Sequence, residues 1–513
     1  MTQSPLQTLP EIIASHARTR GGEPAFIEPG RTLSWRDFAA SIDRIAGGLA
    51  ALGIGPGDRV ALLATNTIWA YETLFGILRA GAAVAPISPM LTPGVIGRIL
   101  DSSTASLLFA DEPCRPLADI AASKRAGPHP LRVIGPSEAL PTALVPADWA
   151  GPDDPFNLIF SSGTTGEPKG IPHSHRTRLL MGLHVAAASG FTPRSRALVC
   201  IPPHSNGAFI FLLPAMLLGA SVVLTPKFEP GAVLDILARD RPTHAFIVPT
   251  MIGAFVEHPR CDEIGRSSLT VALSGGAPIP AALRGRAEQV FTGKLAELWG
   301  LTEGLATYLS PGEAIQRRGS VGRPLASVDL RIVDPAGQEL LADEGEIVGR
   351  SSFMMTAPDG AEAQSPEAWV RLDGERFLRT GDVGQIDADG YLHIRGRIKD
   401  MLISGGLNVY FVDVEAILLE HAAIVDAAVA AVPHAKWGEA PAAYVKLAKP
   451  GQVDATTLLQ WANERLAKHQ RLIALHVLDG DVEIPRNALG KVIRRELAER
   501  VSVGGPPSSE RGA

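Results

Sequence analysis

Residues 161–170 read SSGTTGEPKG, between the apolar run NLIF (157–160) and the stretch IPHSHRTRLL (171–180). Small residues let successive backbone N–H groups turn towards an anion. Ser161, Ser162, Thr164 and Thr165 add hydroxyl donors, Gly163 and Gly166 add freedom, and Lys169 adds a charge suited to polyphosphate. The pattern departs from the nucleoside-triphosphatase loop, where G-x-x-x-x-G-K runs straight into a metal-binding Ser or Thr. Here Pro168 precedes Lys169 and Gly170 follows it. Taken alone, the stretch reads equally well as a phosphate cradle or as a flexible glycine-rich turn.

Working outward, apolar strand-like runs alternate with helical patterns over the first two thirds of the chain. RVALLATN, AAVAPIS, SLLFAD, NLIFSSG, RALVCIPP, SVVLTP, HAFIVPT and TVALSGG are the strand candidates. SWRDFAASIDRIAGGLAALG between two of them has Ser34 and Asp37 as a capping box and Gly53 as a stop. Such alternation predicts α/β layers with largely parallel strands. After about residue 320 the runs shorten (DLRIVD, GEIVGR, VGQIDADGYLHIRGR), with a hairpin turn at DADGY, which predicts a small β subdomain. From about 400 to 500 strands and helices mix in a compact α+β pattern. The expected division is residues 1–396 and 397–513, with a Gly/Pro/Ser-rich disordered tail from about 502.

A chain of 513 residues exceeds one ordinary core, in keeping with that division. Its net charge of −6, with both signs interspersed, gives no basic face for nucleic acid and no acidic tail. Cys114, Cys200 and Cys261 lie far apart, which argues against a disulfide framework or a zinc site and for a reducing, cytoplasmic compartment. The first twenty residues lack an apolar signal core. Ala208–Thr225 carries no charge and approaches spanning length, but Pro214 and Gly219 break it; a buried helix followed by a strand is expected, not a membrane span.

The loop does not stand alone. LSGGAPIP (273–280), LWGLTEG (298–304), GSVGRP (319–324), RTGDVG (379–384), GRIKDMLISGGLNVY (396–410) and PRNALGKVIRREL (485–497) follow it in order. Together with SSGTTGEPKG they make seven motifs spanning nearly the whole chain, and in this order the chain resembles the adenylate-forming superfamily of acyl- and aryl-CoA ligases, stand-alone adenylation domains and luciferases. The resemblance implies a mobile C-terminal domain and these roles. The opening loop would grip the β- and γ-phosphates of ATP. Adenine would lie between the Gly276–Ala277–Pro278 turn and the ring of Trp299, which precedes Gly300 and stands where the family more often has Tyr. Thr302 would contact the α-phosphate and Glu303 would help hold Mg²⁺. Asp382 would accept from both ribose hydroxyls, with Arg397 supporting the ribose from the other side. Read singly, Glu303 is a surface charge, Asp382 a turn cap and Arg397 a solvated strand residue; the order of the motifs is what favours function.

Lys491 is the main catalytic candidate. A carboxylate is a poor electrophile until it is joined to AMP, and that step brings two anions together. A lysine between them offsets their repulsion and the charge that builds in the transition state. Lys399 stands at the family's hinge position. After rotation, Gly405 and Gly406 would line the thiol tunnel and Trp437 would contact CoA, a domain-core aromatic being the alternative reading. Leu407, Phe411 and Leu472 depart from the residues common in relatives, which puts details of the thiolation surface in doubt and not adenylation.

The resemblance places the acid pocket in IPPHSNGAFIF (201–211): His204 near the acyl carboxylate, then Ser205, Asn206 and Gly207, with Gly304, Leu305, Ala306 and Thr307 completing it. His175 reads as a cap or packing residue. The expected reaction is ligation of a small or medium aromatic, alicyclic or aliphatic acid to CoA, with ATP, Mg²⁺ and CoA as the small molecules required and a homodimer left open. The alternatives are a free-standing enzyme that loads a carrier protein and a non-catalytic nucleotide-binding sensor.

Overall fold

Strands buried on both faces must be apolar along their whole length, and the sequence supplies such runs: every residue of Ala83–Ile87 is buried. The structure is a computed structural model. It describes residues 7–127, 131–144, 150–161, 169–341, 343–356, 366–404, 407–434, 437–478, 482–486, 492–494 and 497, with backbone alone at 161, 169, 281–282, 366, 403–404, 407–408 and 438. The chain forms two compact units. One holds Met1–Gly276, Ala287–Asp329 and Gly349–Glu367; the other holds Ala277–Arg286, Leu330–Val348 and Ala368–Ala513.

The larger unit contains two sheets. The first runs Arg132–Ile134, Leu107–Ala110, Arg59–Leu63, Ala83–Ile87, Pro155–Ser161 and Lys169–Ser174. Only the last pairing is antiparallel, between Pro155–Ser161 and Lys169–Ser174, the two strands that flank residues 162–168 in the sequence. The second runs Leu295–Leu298, Val271–Gly275, His244–Ile247, Arg196–Val199, Ser221–Leu224, Pro24–Glu28 and Arg31–Ser34. It too is parallel except for its last strand. All eight expected strands are present in these two sheets. Aromatic side chains from several elements (Phe26, Phe38, Tyr71, Phe75, Phe156, Phe209) build one core.

Two local signals act as read. Ser34 caps the Trp35–Ala51 helix, its Oγ accepting from Asp37 N, though the Asp37 carboxylate returns to the Ser34 hydroxyl and not to its backbone. The uncharged stretch at 208–225 is the Phe209–Leu218 helix, ended by Gly219 at φ 69°, and then the Ser221–Leu224 strand. No helix among the described residues is long and apolar enough to cross a membrane.

The smaller unit has a β sheet around Glu375–Ile386, whose hairpin partner is Leu392–Arg397. Asp387 closes the turn by accepting from Asp389 N and Tyr391 N. After the short Ile398–Asp400 turn comes a five-stranded sheet led by Ile424–His434 and Gly438–Leu447. The Phe411–Leu419 and Ala455–Arg465 helices cover it through Val414, Leu418 and Leu458. This is the expected α+β terminal pattern.

Candidate active site

In the larger unit, the motif LWGLTEG forms a tight hairpin. Gly300–Leu301 pairs antiparallel with Leu305–Tyr308, and Gly304 N donates back to Leu301 O at 3.1 Å. Thr302 and Glu303 occupy its tip, both half-buried. Three successive carbonyls of the tip accept hydrogen bonds: Thr302 from His173 Nε2 (2.7 Å), Glu303 from Met355 N (2.6 Å) and Gly304 from Ser351 Oγ (2.6 Å). Holding the backbone this way fixes the positions from which the Thr302 and Glu303 side chains project. Gly304 has φ 113°, a value that glycine alone takes readily.

His173 draws in a second layer that sequence reasoning missed. Arg178, on the His175–Ser189 helix, is fully buried. Its Nη2 donates to His173 Nδ1 at 3.3 Å, so His173 is the neutral tautomer protonated at Nε2. Burial, then the neighbouring Arg178 charge, holds the His173 pKa well below the ordinary value. Arg178 also donates to Asn157 Oδ1 and Asn206 Oδ1. Burial pushes its pKa down to about 9, which leaves it charged at neutral pH.

The acid-pocket candidates fall into two groups. His204, Asn206 and Gly207 are half-buried, and His204 Nδ1 is buried without a hydrogen-bond partner. A Cβ on Gly207 would come within 2.7 Å of Phe246 Cε1, and a Cβ on Gly275, one residue before the Gly276–Ala277–Pro278 turn, within 3.0 Å of Cε2 of the same ring. Gly276 takes φ 85° there. Ser205 caps the short Asn206–Ala208 turn through Gly207 N. Leu305 and Thr307 are buried, and the Thr307 hydroxyl is committed to Val321 O. Trp299 is half-buried at the head of the hairpin.

His175 is fully buried, packs edge-on to Phe156, and has no partner at either nitrogen. Burial pushes it and His204 down to about 4. A histidine whose folded pKa lies below its unfolded value of about 6.5 stabilises the fold above that value, and this stabilisation is lost as pH falls towards 4. At pH ~5 the loss for His175 is about 2 kcal/mol. A His175→Phe variant is therefore expected to lose less stability than the parent between pH ~7 and ~5 in urea titrations; parallel losses would contradict the neutral, buried state of this ring.

In the smaller unit, Asp382 and Arg397 face each other across the Glu375–Ile386/Leu392–Arg397 hairpin. Arg397 Nε lies 2.8 Å from Asp382 Oδ1, and Asp382 is 3% exposed. Arg397 thus braces the carboxylate directly. Lys399 is exposed on the Ile398–Asp400 turn. Trp437 is 42% exposed and stacks on His434 at 4.3 Å between two strands, so it is not a core aromatic. Phe411 and Leu472 are buried in this unit's core. Ser162, Gly163, Thr164, Thr165, Gly166, Gly405, Gly406 and Lys491, with the side chains of Ser161 and Lys169, lie outside the described residues. No group of three or more His, Cys, Asp or Glu among the described residues forms a metal cage. A lone carboxylate such as Glu303 fits Mg²⁺, which is held mostly by phosphate and water oxygens in nucleotide sites.

Residues 13–357 match the family model "AMP-binding enzyme" and residues 413–491 match "AMP-binding enzyme C-terminal domain". A feruloyl-CoA synthase of an Amycolatopsis species is 34% identical over 92% of this chain and 94% of its own. A fatty acid–acyl-carrier-protein ligase of Streptomyces coeruleorubidus is 31% identical over 96% of each. The ATP-bound crystal structure of MatB from Rhodopseudomonas palustris superposes with a TM-score of 0.84 at 27% identity, over 96% of this chain and 99% of that one.

Proposed function

Because the chain belongs to the AMP-binding enzyme family and is an acid–thiol ligase of the AMP-forming kind, we propose that it joins a small or medium carboxylic acid to CoA in two steps. A carboxylate oxygen attacks the α-phosphorus of ATP, and the bond to the pyrophosphate oxygen breaks. The CoA thiolate then attacks the acyl carbon, and AMP leaves with the electron pair of the C–O bond. The pinned hairpin that carries Thr302 and Glu303 is the observation that supports this reading most strongly. Preorganised groups aimed at a developing charge need no rearrangement during reaction.

In this reading Thr302 contacts the α-phosphate, and Trp299 with Gly276, Ala277 and Pro278 holds adenine. Ser161 to Gly166 and Lys169 hold the leaving pyrophosphate. Mg²⁺, when bound, neutralises phosphate charge, and Glu303 is its protein ligand. His204 lies beside the acyl carboxylate; a ring held neutral by burial adds polarity there without a charge that would fix the anion too tightly. Lys399 is the pivot for the segment beyond it, and Gly405, Gly406 and Trp437 meet CoA.

Asp382 serves the ribose, braced by Arg397. Asp382→Ala is expected to raise the KM for ATP about tenfold to a hundredfold, the loss of charge-assisted hydrogen bonds, with a smaller effect on the KM for the acid. A KM for ATP within about twofold of the parent would remove Asp382 from the nucleotide site.

The carrier-protein ligase among the relatives favours a second reading, in which the acyl group goes to a phosphopantetheine protein. Incubation with ATP, Mg²⁺ and a panel of aromatic, alicyclic and aliphatic acids, with and without CoA, separates the two by mass spectrometry. A CoA thioester supports the first reading. Acyl-AMP and pyrophosphate without thioester support the second. Neither product with any acid would overturn both.

A further inference from the structure

Arg178 is a buried guanidinium with no carboxylate beside it among the described residues. All five of its N–H groups are nonetheless used. Nε–H and one Nη2–H go to Asn157 Oδ1 (3.1 and 3.0 Å), the other Nη2–H to His173 Nδ1 (3.3 Å), and the two Nη1–H to Asn206 Oδ1 (2.7 Å) and Met181 Sδ (3.5 Å). The Phe209 ring lies 4.7 Å away. Burying a cation among neutral acceptors is costly, and what it achieves here is orientation. A guanidinium has only donors, so each amide facing it must offer oxygen. The Asn206 amide cannot flip, and its NH₂ points away from Arg178. Asn206 is half-buried, between His204 and Gly207 in the acid-pocket stretch.

We propose that Arg178 is a positioning residue which fixes Asn206 as a hydrogen-bond donor to the acid, and that the preferred acid carries an oxygen acceptor (hydroxyl, ether or carbonyl) besides its reacting carboxylate; this rests on the ligase reading above. A purely hydrocarbon acid would strip water from the Asn206 NH₂ and give nothing back, and a site built to bond an oxygen discriminates strongly against the analogue that lacks it.

The test uses matched acids in which oxygen replaces a methylene, para-methoxycinnamate against para-ethylcinnamate and tetrahydropyran carboxylate against cyclohexane carboxylate, and a third pair in which a methylene becomes a carbonyl, a keto-alkanoate against the plain alkanoate. The readout is the ratio of kcat/KM within each pair. In the parent, at least one pair is expected to favour the oxygen-bearing acid about tenfold or more. Asn206→Asp keeps the shape, gives Arg178 a counter-ion and removes both donors; its ratio is expected to fall to about one or below. Arg178→Met leaves Asn206 free to turn and is expected to lower the ratio as well. A merely structural role would depress both members of a pair equally and leave the ratio alone. Absence of any preference in the parent, or a preference that survives both substitutions, overturns the proposal. If no acid gives adenylate or thioester at all, the ligase reading itself fails, which is a separate result.

Discussion

Replacing Lys491 by alanine is expected to slow acyl-adenylate formation about 10²- to 10³-fold, the usual cost of removing one preorganised charge or donor at a developing anion. The transfer of the acyl group from preformed acyl-AMP to CoA should change far less. The asymmetry follows from the chemistry. Adenylation draws a carboxylate and an α-phosphate together, two anions that repel, and a cation between them acts where charge is concentrated. Thiolation needs no such approach of anions, because the acyl group is already a mixed anhydride. Two assays separate the steps: pyrophosphate exchange into ATP for the first, and single-turnover transfer from synthetic acyl-AMP for the second. Equal loss in both would mean that Lys491 supports the fold and not the first step, and full activity in both would remove it from the mechanism.

How much of this was legible in the sequence follows the range of the interactions. Val60–Leu63 and Val222–Leu224 read as strands because parallel layers cover both their faces, and that demand is written locally. Ser34, Gly53 and Gly219 announce helix ends for equally local reasons. The hairpin at 300–306 was visible as a motif, but not what holds it. His173 lies 129 residues from Thr302, and Arg178 lies 28 from Asn206. Such pairings leave no period and no spacing to read. His173 sits in plain view in HSH, but the cap-or-packing reading falls on His175, where packing holds and capping does not: Ser174 caps the helix and both His175 nitrogens lack a partner. Ser205 read as pocket polarity because a serine in a loop does not declare that its hydroxyl caps a turn. Trp437 was ambiguous between core and surface until its exposed stack on His434 decided it.

The second large effect is expected from Gly304→Ala. A Cβ at this position would lie 2.3 Å from the Phe353 carbonyl oxygen and 2.7 Å from Met354 Cα, and it would have to be carried at φ 113°. Both opposing atoms are backbone, so no side chain can swing aside. Nor is that backbone loose, since Thr177 Oγ1 donates to Met354 O and Met355 N donates to Glu303 O. The strained φ and the overlap together are expected to cost about 2–5 kcal/mol. Relief can come only by moving the hairpin tip, which carries Thr302 and Glu303 out of register; a displacement of about 1 Å at a reacting centre costs on the order of 10²-fold in rate. Gly374→Ala is the control. Gly374 also has a positive φ, 81°, but a Cβ there meets nothing within 4 Å, so it measures backbone strain without collision. Gly304→Ala should therefore show the lower urea midpoint of the two and be the one that loses pyrophosphate exchange. If the two variants match in midpoint and both keep exchange, the tip yields easily, and the three carbonyl bonds do not make it the rigid platform on which the adenylation reading rests.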